Sequence, residues 1–357
     1  MADSFSEGRM MFAQLDRRLS ILPLALLAVL SGCVSGSSGS VPGTANVGIP
    51  APSLGVVGQP NKKGGKGGCG SAQTKGASNG GVVSTAQLYG FDLKVYQRLS
   101  SGGLKLVCIL MQGVQDPNGT MATVNGWWYV ANGGGENVLV YRFKKGLPHG
   151  PVSTLADYNE YATNVAVNPN RNLVAVSNLN SISNTGGSLS IYVHRQAVPV
   201  RVLTYGSSKV YGAGVALSHK GDCYWAFNTG GSSSGPGSIV EFKKCIGSGR
   251  LIVSGIPLVG GLVFDQSDDL YYVNSVSSSG SPAGIYKCKK TSSCKPWSIK
   301  YFVQPTNMNF DYKGKDLWVV DPGADLIDEV NSSGTIIRQD PPEGSDLPYG
   351  IAPEPGA

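Results

Sequence analysis

The chain of 357 residues contains 50 glycines, only 15% charged residues and a formal net charge of +6. Glycine and β-branched residues are poor in helix interiors and serve turns and strands instead, so this composition excludes a mainly helical protein and points to an all-β one. Four of the surplus positive charges are Lys62, Lys63, Lys66 and Lys75, no acid occurs between Asp16 and Asp92, and the near-neutral remainder speaks against a nucleic-acid-binding protein.

At the N-terminus, Arg17 and Arg18 precede an apolar stretch at 19–30, the pattern of an export signal. About a dozen apolar residues are too few for a membrane span, which needs ~20. The stretch ends in "LSGC" at Cys33, which resembles the bacterial lipobox. That resemblance implies that Cys33 is acylated, that residues 1–32 are a signal peptide, and that the protein is lipid-anchored to a bacterial membrane in the cell envelope. An ordinary secretory signal or a short anchor is the alternative. Asp3, Glu7 and Asp16 are unusual in such a leader, which leaves Met10 or Met11 as a possible start.

Residues 33–83 are Gly, Ser, Pro and Ala with almost no aromatic side chain, and such a segment buries too little apolar surface to order itself. It reads as a tether. A flexible chain of ~50 residues reaches about 40 Å. Its lysines suit either an anionic envelope surface or a merely soluble linker.

From residue 84 to 357 the chain repeats. "WWYVAN" at Trp127, "LVAVSN" at Leu173, "CYWAFN" at Cys223, "LYYVNS" at Leu270 and "LWVVDP" at Leu317 recur every 46 to 50 residues. Short apolar runs precede them: "TMATV", "NVAVNPN", "GVALSHKG", "GLVFDQSD" and "NMNFDYKG". Third runs follow past polar loops, "NVLVYRF", "SLSIYVH", "GSIVEF", "AGIYKC" and "DLIDEV", and then fourth ones, "PVSTLA", "VRVLTY", "RLIVS", "SIKYFV" and "TIIRQ". Four short strands per period predict propeller blades, because one four-stranded sheet covers both faces only by stacking on neighbours. "DLPYGIAPEPG" at the C-terminal end supplies an inner strand for "QLYGFDLKVY" and "LKLVCILM", with "GGVVSTA" offering the remaining strand. The expectation is a six-bladed β-propeller whose last blade is closed by strands from both termini, leaving no unpaired sheet edge at the closure.

"LPYGIAPEPG", "GGLVFDQSDDLYYVNS" and "NVAVNPNRNLVAVSN" resemble the NHL-repeat and gluconolactonase-like group of six-bladed propellers, and the whole is similar to secreted bacterial lipoproteins of that type. In such a ring, Asn164, Gly214, Gly261, Asn307 and Gly350 fall at the starts of inner strands, where crowding at the axis favours small residues.

Beside Cys33 there are six cysteines, an even number suited to disulfides in an exported chain, and none forms a Cys-x-x-Cys pair. Cys223 begins a second strand and Cys245 follows the third, which pairs them across a hairpin. Cys288 and Cys294 flank "KKTSS", and Cys69 and Cys108 pair by elimination.

The loops between second and third strands share a rim with the loops between blades. Tyr161, Asn164, Tyr211, Asn307 and Tyr349 would gather at its mouth, where aromatic faces beside amides suit a small molecule, a glycan or a protein; packing between blades is the other reading of the tyrosines. The family resemblance implies an alternative, a metal-dependent lactonase or hydrolase. It would need oxygen donors for Ca²⁺ or Zn²⁺, available here at Glu160, Asn178, Asn228, Asn274 and Asp321, and a Glu early on the inner ring, whereas "TMATV" carries no acid. None of His149, His194 and His219 has a nucleophile and base beside it in the sequence. The preferred reading is therefore a binding or scaffold module without a cofactor.

Overall fold

The computed structural model describes residues 69, 82–87, 91–99, 102–122, 125–144, 147–168, 170–181, 186–193, 196–206, 209–229, 235–311, 314–343 and 347–353. Residues 1–32, expected to be a signal peptide, Cys33, and the segment expected to be a tether apart from Cys69, Val82 and Val83 lie outside the described residues. Regular structure within them is strand, with two 3-10 turns, and no helix is long and apolar enough to cross a membrane.

The first strands are β1 (Val82–Gln87), β2 (Leu93–Arg98) and β3 (Leu104–Leu110). Next come β4 (Pro117–Ala122), β5 (Trp127–Asn132), β6 (Asn137–Lys144) and β7 (Leu147–Ala156), then β8 (Glu160–Asn168), β9 (Leu173–Ser181), β10 (Ser188–Val193) and β11 (Arg201–Leu203). A third set is β12 (Tyr211–Leu217), β13 (Cys223–Asn228), β14 (Gly237–Phe242) and β15 (Arg250–Ile256). A fourth is β16 (Val259–Phe264), β17 (Leu270–Asn274), β18 (Gly284–Lys289) and β19 (Ser292–Ser298). The fifth is β20 (Asn307–Phe310), β21 (Leu317–Asp321), β22 (Leu326–Val330) and β23 (Ile336–Asp340), and β24 (Pro348–Pro353) ends the described chain.

Each of these five consecutive sets forms a four-stranded antiparallel sheet, and β24 returns to pair with β1 in a further sheet of order β24-β1-β2-β3. The fold is an all-β propeller with four-stranded antiparallel blades. Five blades are continuous in the sequence, and the composite sheet joins the two ends of the described chain.

The second strands explain why the repeat reads as unbroken apolar runs. Cys223–Asn228 and Leu270–Asn274 are buried at every residue, because a blade is covered on both faces by its neighbours and the usual alternation disappears. The cores lie between sheets. Ala175, Leu189 and Ile191 pack against Trp225 and Phe227 of the following set, while Trp128 and Tyr141 pack against Leu93, Val95 and Ala352 of the composite sheet. On the other side of that sheet, Tyr96 and Ile351 meet Trp318, Val320 and Ile327. Each such fully buried aliphatic or aromatic side chain stabilises by about 1.5–3 kcal/mol.

Two strand assignments shift. The strand expected at "SIKYFV" lies earlier, at Ser292–Ser298. Cys288 and Cys294 are register partners across β18 and β19, and Lys290 and Thr291, both at positive φ, turn the chain as soon as β18 ends. The first inner strand starts at Pro117, three residues before "TMATV". All three expected disulfides are present: Cys69–Cys108, Cys223–Cys245 and Cys288–Cys294. The last pair lies within the two strands rather than between them.

Candidate functional site

The inner strands reach the axis through one recurring tetrapeptide: "DPNG" at 116–119, "YATN" at 161–164, "YGAG" at 211–214, "LVGG" at 258–261, "QPTN" at 304–307 and "LPYG" at 347–350. Its last residue is always Gly or Asn. A Cβ on Gly119 would sit 2.6 Å from Asn164 Cγ, one on Gly261 would sit 2.5 Å from Asn307 Oδ1, and one on Gly350 would overlap the Asn118 carbonyl oxygen. Crowding at the axis thus accounts for the composition, as expected, and adds Gly119 to the ring.

The ring is closed by amides. Asn164 Nδ2 donates to Asn307 Oδ1 at 3.5 Å, joining β8 to β20 across the axis. Each of these oxygens also accepts the next backbone N–H, from Val165 at 2.7 Å and Met308 at 2.8 Å. Nearby, Asn309 Nδ2 donates to the carbonyls of Thr120 at 2.7 Å and Ile351 at 2.5 Å, and Asn118 Nδ2 donates to those of Asp116 at 3.0 Å and Ala162 at 3.3 Å. These amides knit the inner strands together.

Tyr161, Tyr211 and Tyr349, in or beside these tetrapeptides, are half-buried. Tyr161 donates its hydroxyl to Asp116 Oδ2. Burial pushes the Asp116 carboxyl up, against the opposing effect of that hydrogen bond. Burial likewise raises the Tyr161 hydroxyl, helped by the Asp116 charge and, more weakly, by Tyr349. The Tyr161 ring lies over Gly133 of the preceding sheet, where a Cβ would come within 2.7 Å of it, so this tyrosine does pack between blades. Thr306 Oγ1 donates to the Tyr349 carbonyl at 3.3 Å. Tyr211 heads β12 opposite Asn228.

Of the five residues expected at the mouth, the structure brings Asn164 and Asn307 into contact and sets Tyr161 near Tyr349, with Tyr211 at the head of its own strand. Asp116 was missed. Starting the inner strand at Thr120 passes over it, although the turn-prone "DPNG" aligned on "YATN" and "QPTN" marks its place at the top of the ring.

The oxygen donors considered for a metal are dispersed. Asn228 Oδ1 accepts Val259 N at 3.0 Å while its Nδ2 donates to Val259 O at 3.1 Å. Asn274 Nδ2 donates to the carbonyls of Ser281 at 3.3 Å and Pro282 at 2.9 Å, and Leu258 N donates to its Oδ1 at 3.4 Å. Asp321 accepts from Val303 N and Gln304 N, both at 2.7 Å. These three side chains fix the linkers into the blades, so the set does not fit a shared metal. Glu160 and Asn178 belong together in another cluster within the sheet of β8–β11. Among the described residues, no three His, Cys, Asp or Glu side chains converge. His219 Nδ1 lies 2.9 Å from Asp268 Oδ1 on an exposed turn, beyond the far end of its inner strand.

No family model and no curated protein matches the sequence. Solved structures match in fold. A chain from the crystal structure of a nidogen/laminin complex superposes with a TM-score of 0.57 at 11% identity, covering 76% of this chain and 97% of that one. A "putative 6-phosphogluconolactonase" from Bacteroides fragilis NCTC 9343 gives 0.51 at 12% identity, covering 78% and 99%. At these identities the likeness shows the β-propeller fold alone.

Proposed function

We propose that the protein is a lipid-anchored, six-bladed propeller of the bacterial cell envelope that binds a glycan or a protein through the tyrosine-lined rim around its axis. The observation that carries this reading is the set of interlocked amides on the inner strands. Asn118, Asn164, Asn307 and Asn309 are engaged with one another and with backbone groups, and the Asp116 carboxylate is engaged by Tyr161. Such a mouth offers pre-organised polar edges and aromatic faces, the ingredients of recognition. A fold neighbour drawn from a complex of two proteins supports a protein as the ligand. Three disulfides support a compartment outside the cytoplasm, and acylation of Cys33 would hold the domain at a membrane. Of the donors the lactonase alternative would use, Asn228, Asn274 and Asp321 are engaged with backbone groups of the loops and linkers.

The test is binding of the mature protein to glycan arrays and to cross-linked envelope proteins, alongside Tyr211→Ala and Tyr349→Ala variants. Loss of binding at unchanged melting temperature is expected. Variants that bind as the wild type does would remove the rim from the account. Mass spectrometry of the mature N-terminus should find Cys33 diacylglycerylated; an unmodified N-terminus elsewhere would end the anchoring proposal.

A further inference from the structure

In the sheet of β8–β11, sequence and topology gather five oxygen-bearing side chains at one end. Asp157 lies in the linker from β7, Glu160 opens β8, and Asn178 stands near the end of β9. Ser188 and Ser190 share one face of β10 through the two-residue period of a strand. Asn178 Nδ2 donates to Ser188 Oγ at 3.0 Å and to Ser190 Oγ at 3.1 Å. Ser190 Oγ donates to Asp157 Oδ1 at 2.8 Å, and the Tyr192 hydroxyl reaches the same oxygen at 3.0 Å. Ser188 hydrogen-bonds Glu160, and Glu160 feels the charge of Asp157.

Among the described residues, three buried oxygens of this cluster have no hydrogen-bond partner: Asp157 Oδ2, Glu160 Oε2 and Asn178 Oδ1. Asn178 is fully buried and Asp157 is 2% exposed. Buried polar atoms are normally satisfied, and a buried charge is normally paired. Here two carboxylates stand near each other, the Asp157 charge acting on Glu160.

We infer that this cluster is a divalent-cation site for Ca²⁺, ligated by Asp157, Glu160 and Asn178 with help from the serine hydroxyls. The donors are all hard oxygens, as Ca²⁺ prefers, and several come from protein rather than water, which suits Ca²⁺ better than the strongly hydrated Mg²⁺. No sulfur or imidazole is present to favour Zn²⁺. The ion would neutralise both carboxylates and pin the linker at Asp157 to the end of β9, a structural role independent of ligand binding at the rim.

The experiment is calorimetric titration of Ca²⁺ into the EGTA-stripped, full-length protein, with melting followed in parallel. One Ca²⁺ per chain and a melting temperature that rises with free Ca²⁺ are expected, with weaker responses to Mg²⁺ and Zn²⁺. Glu160→Gln should weaken Ca²⁺ binding more than about tenfold, since affinity follows ligand charge; because Glu160 is only half-buried, that variant keeps the test valid where Asp157→Asn fails to fold. No heat and no melting shift at millimolar Ca²⁺, or binding undiminished in Glu160→Gln, would overturn the assignment.

Discussion

Replacing the three disulfides one pair at a time with alanine gives a graded test of how the propeller is stapled. Cross-linking removes entropy from the unfolded chain in proportion to the logarithm of the loop it closes. The sequence separations are 6 for Cys288–Cys294, 22 for Cys223–Cys245 and 39 for Cys69–Cys108, which correspond to about 2.2, 3.4 and 3.9 kcal/mol at 25 °C. Burial then reorders the series. Cys223 and Cys245 are both fully buried beside Trp225 and Phe227, so truncating them also leaves a cavity, adding roughly 1–2 kcal/mol. Cys108 is only partly buried. The expected order of loss is Cys223/Cys245 first at about 5 kcal/mol, then Cys69/Cys108, then Cys288/Cys294. Urea unfolding of the mature protein, with midpoints and slopes fitted for each double variant, measures it. A loss for Cys288/Cys294 equal to that for Cys223/Cys245 would refute the reasoning, because neither loop length nor burial would then govern the contribution.

Further outcomes follow from single side chains. Asp328 is 1% exposed, and burial, with added repulsion from Asp321 and Asp340, pushes its carboxyl up to about 7 against the opposing hydrogen bond from Gln339. Its folded pKa lies above the unfolded one, so its contribution is fully present below about pH 4 and is lost as pH rises through about 7, stability falling by up to roughly 1.4 kcal/mol for each whole pH step in that window. Asp328→Asn should flatten the decline of the urea midpoint between pH 5 and 8, and an unchanged slope would contradict this. Gly350→Ala should destabilise by more than about 1–3 kcal/mol, since the new Cβ overlaps the Asn118 carbonyl; thermal melting reads it. Asn228→Ala should cost about 1–3 kcal/mol per buried Val259 backbone group left unpaired, and a neutral result in urea unfolding would show that water replaces the latch.

The architecture was legible because the blade writes its packing into the chain. Trp225 and Tyr272 lie in runs that stay apolar at every position, since neighbours cover both faces, and the polar loops between the runs set the period. The cysteine pairs were legible because hairpin symmetry places Cys223 opposite the end of β14. The boundary at "SIKYFV" was not, because the turn at Lys290 and Thr291 uses positive φ in residues that carry no glycine signature. Cα register across the Cys288–Cys294 pair decides that strand, and register is a property of two segments rather than one.

The site was legible only by halves, and the missing half follows one physical pattern. Asn164 and Asn307 could be placed at inner-strand starts, but their contact spans 143 positions of sequence, and nothing local marks which ring positions face each other. Asp116 was hidden for a different reason. Its tetrapeptide reads as a turn, while its role comes from Tyr161, which lies 45 residues away and donates to it. Asp157 is the same case: it sits in a polar linker, yet folding makes it 2% exposed beside serines from another strand. In a ring of repeats, local sequence encodes the blade, whereas chemistry is assembled between elements one or more blades apart. The residues most able to act are therefore those whose sequence setting is ordinary and whose burial is not.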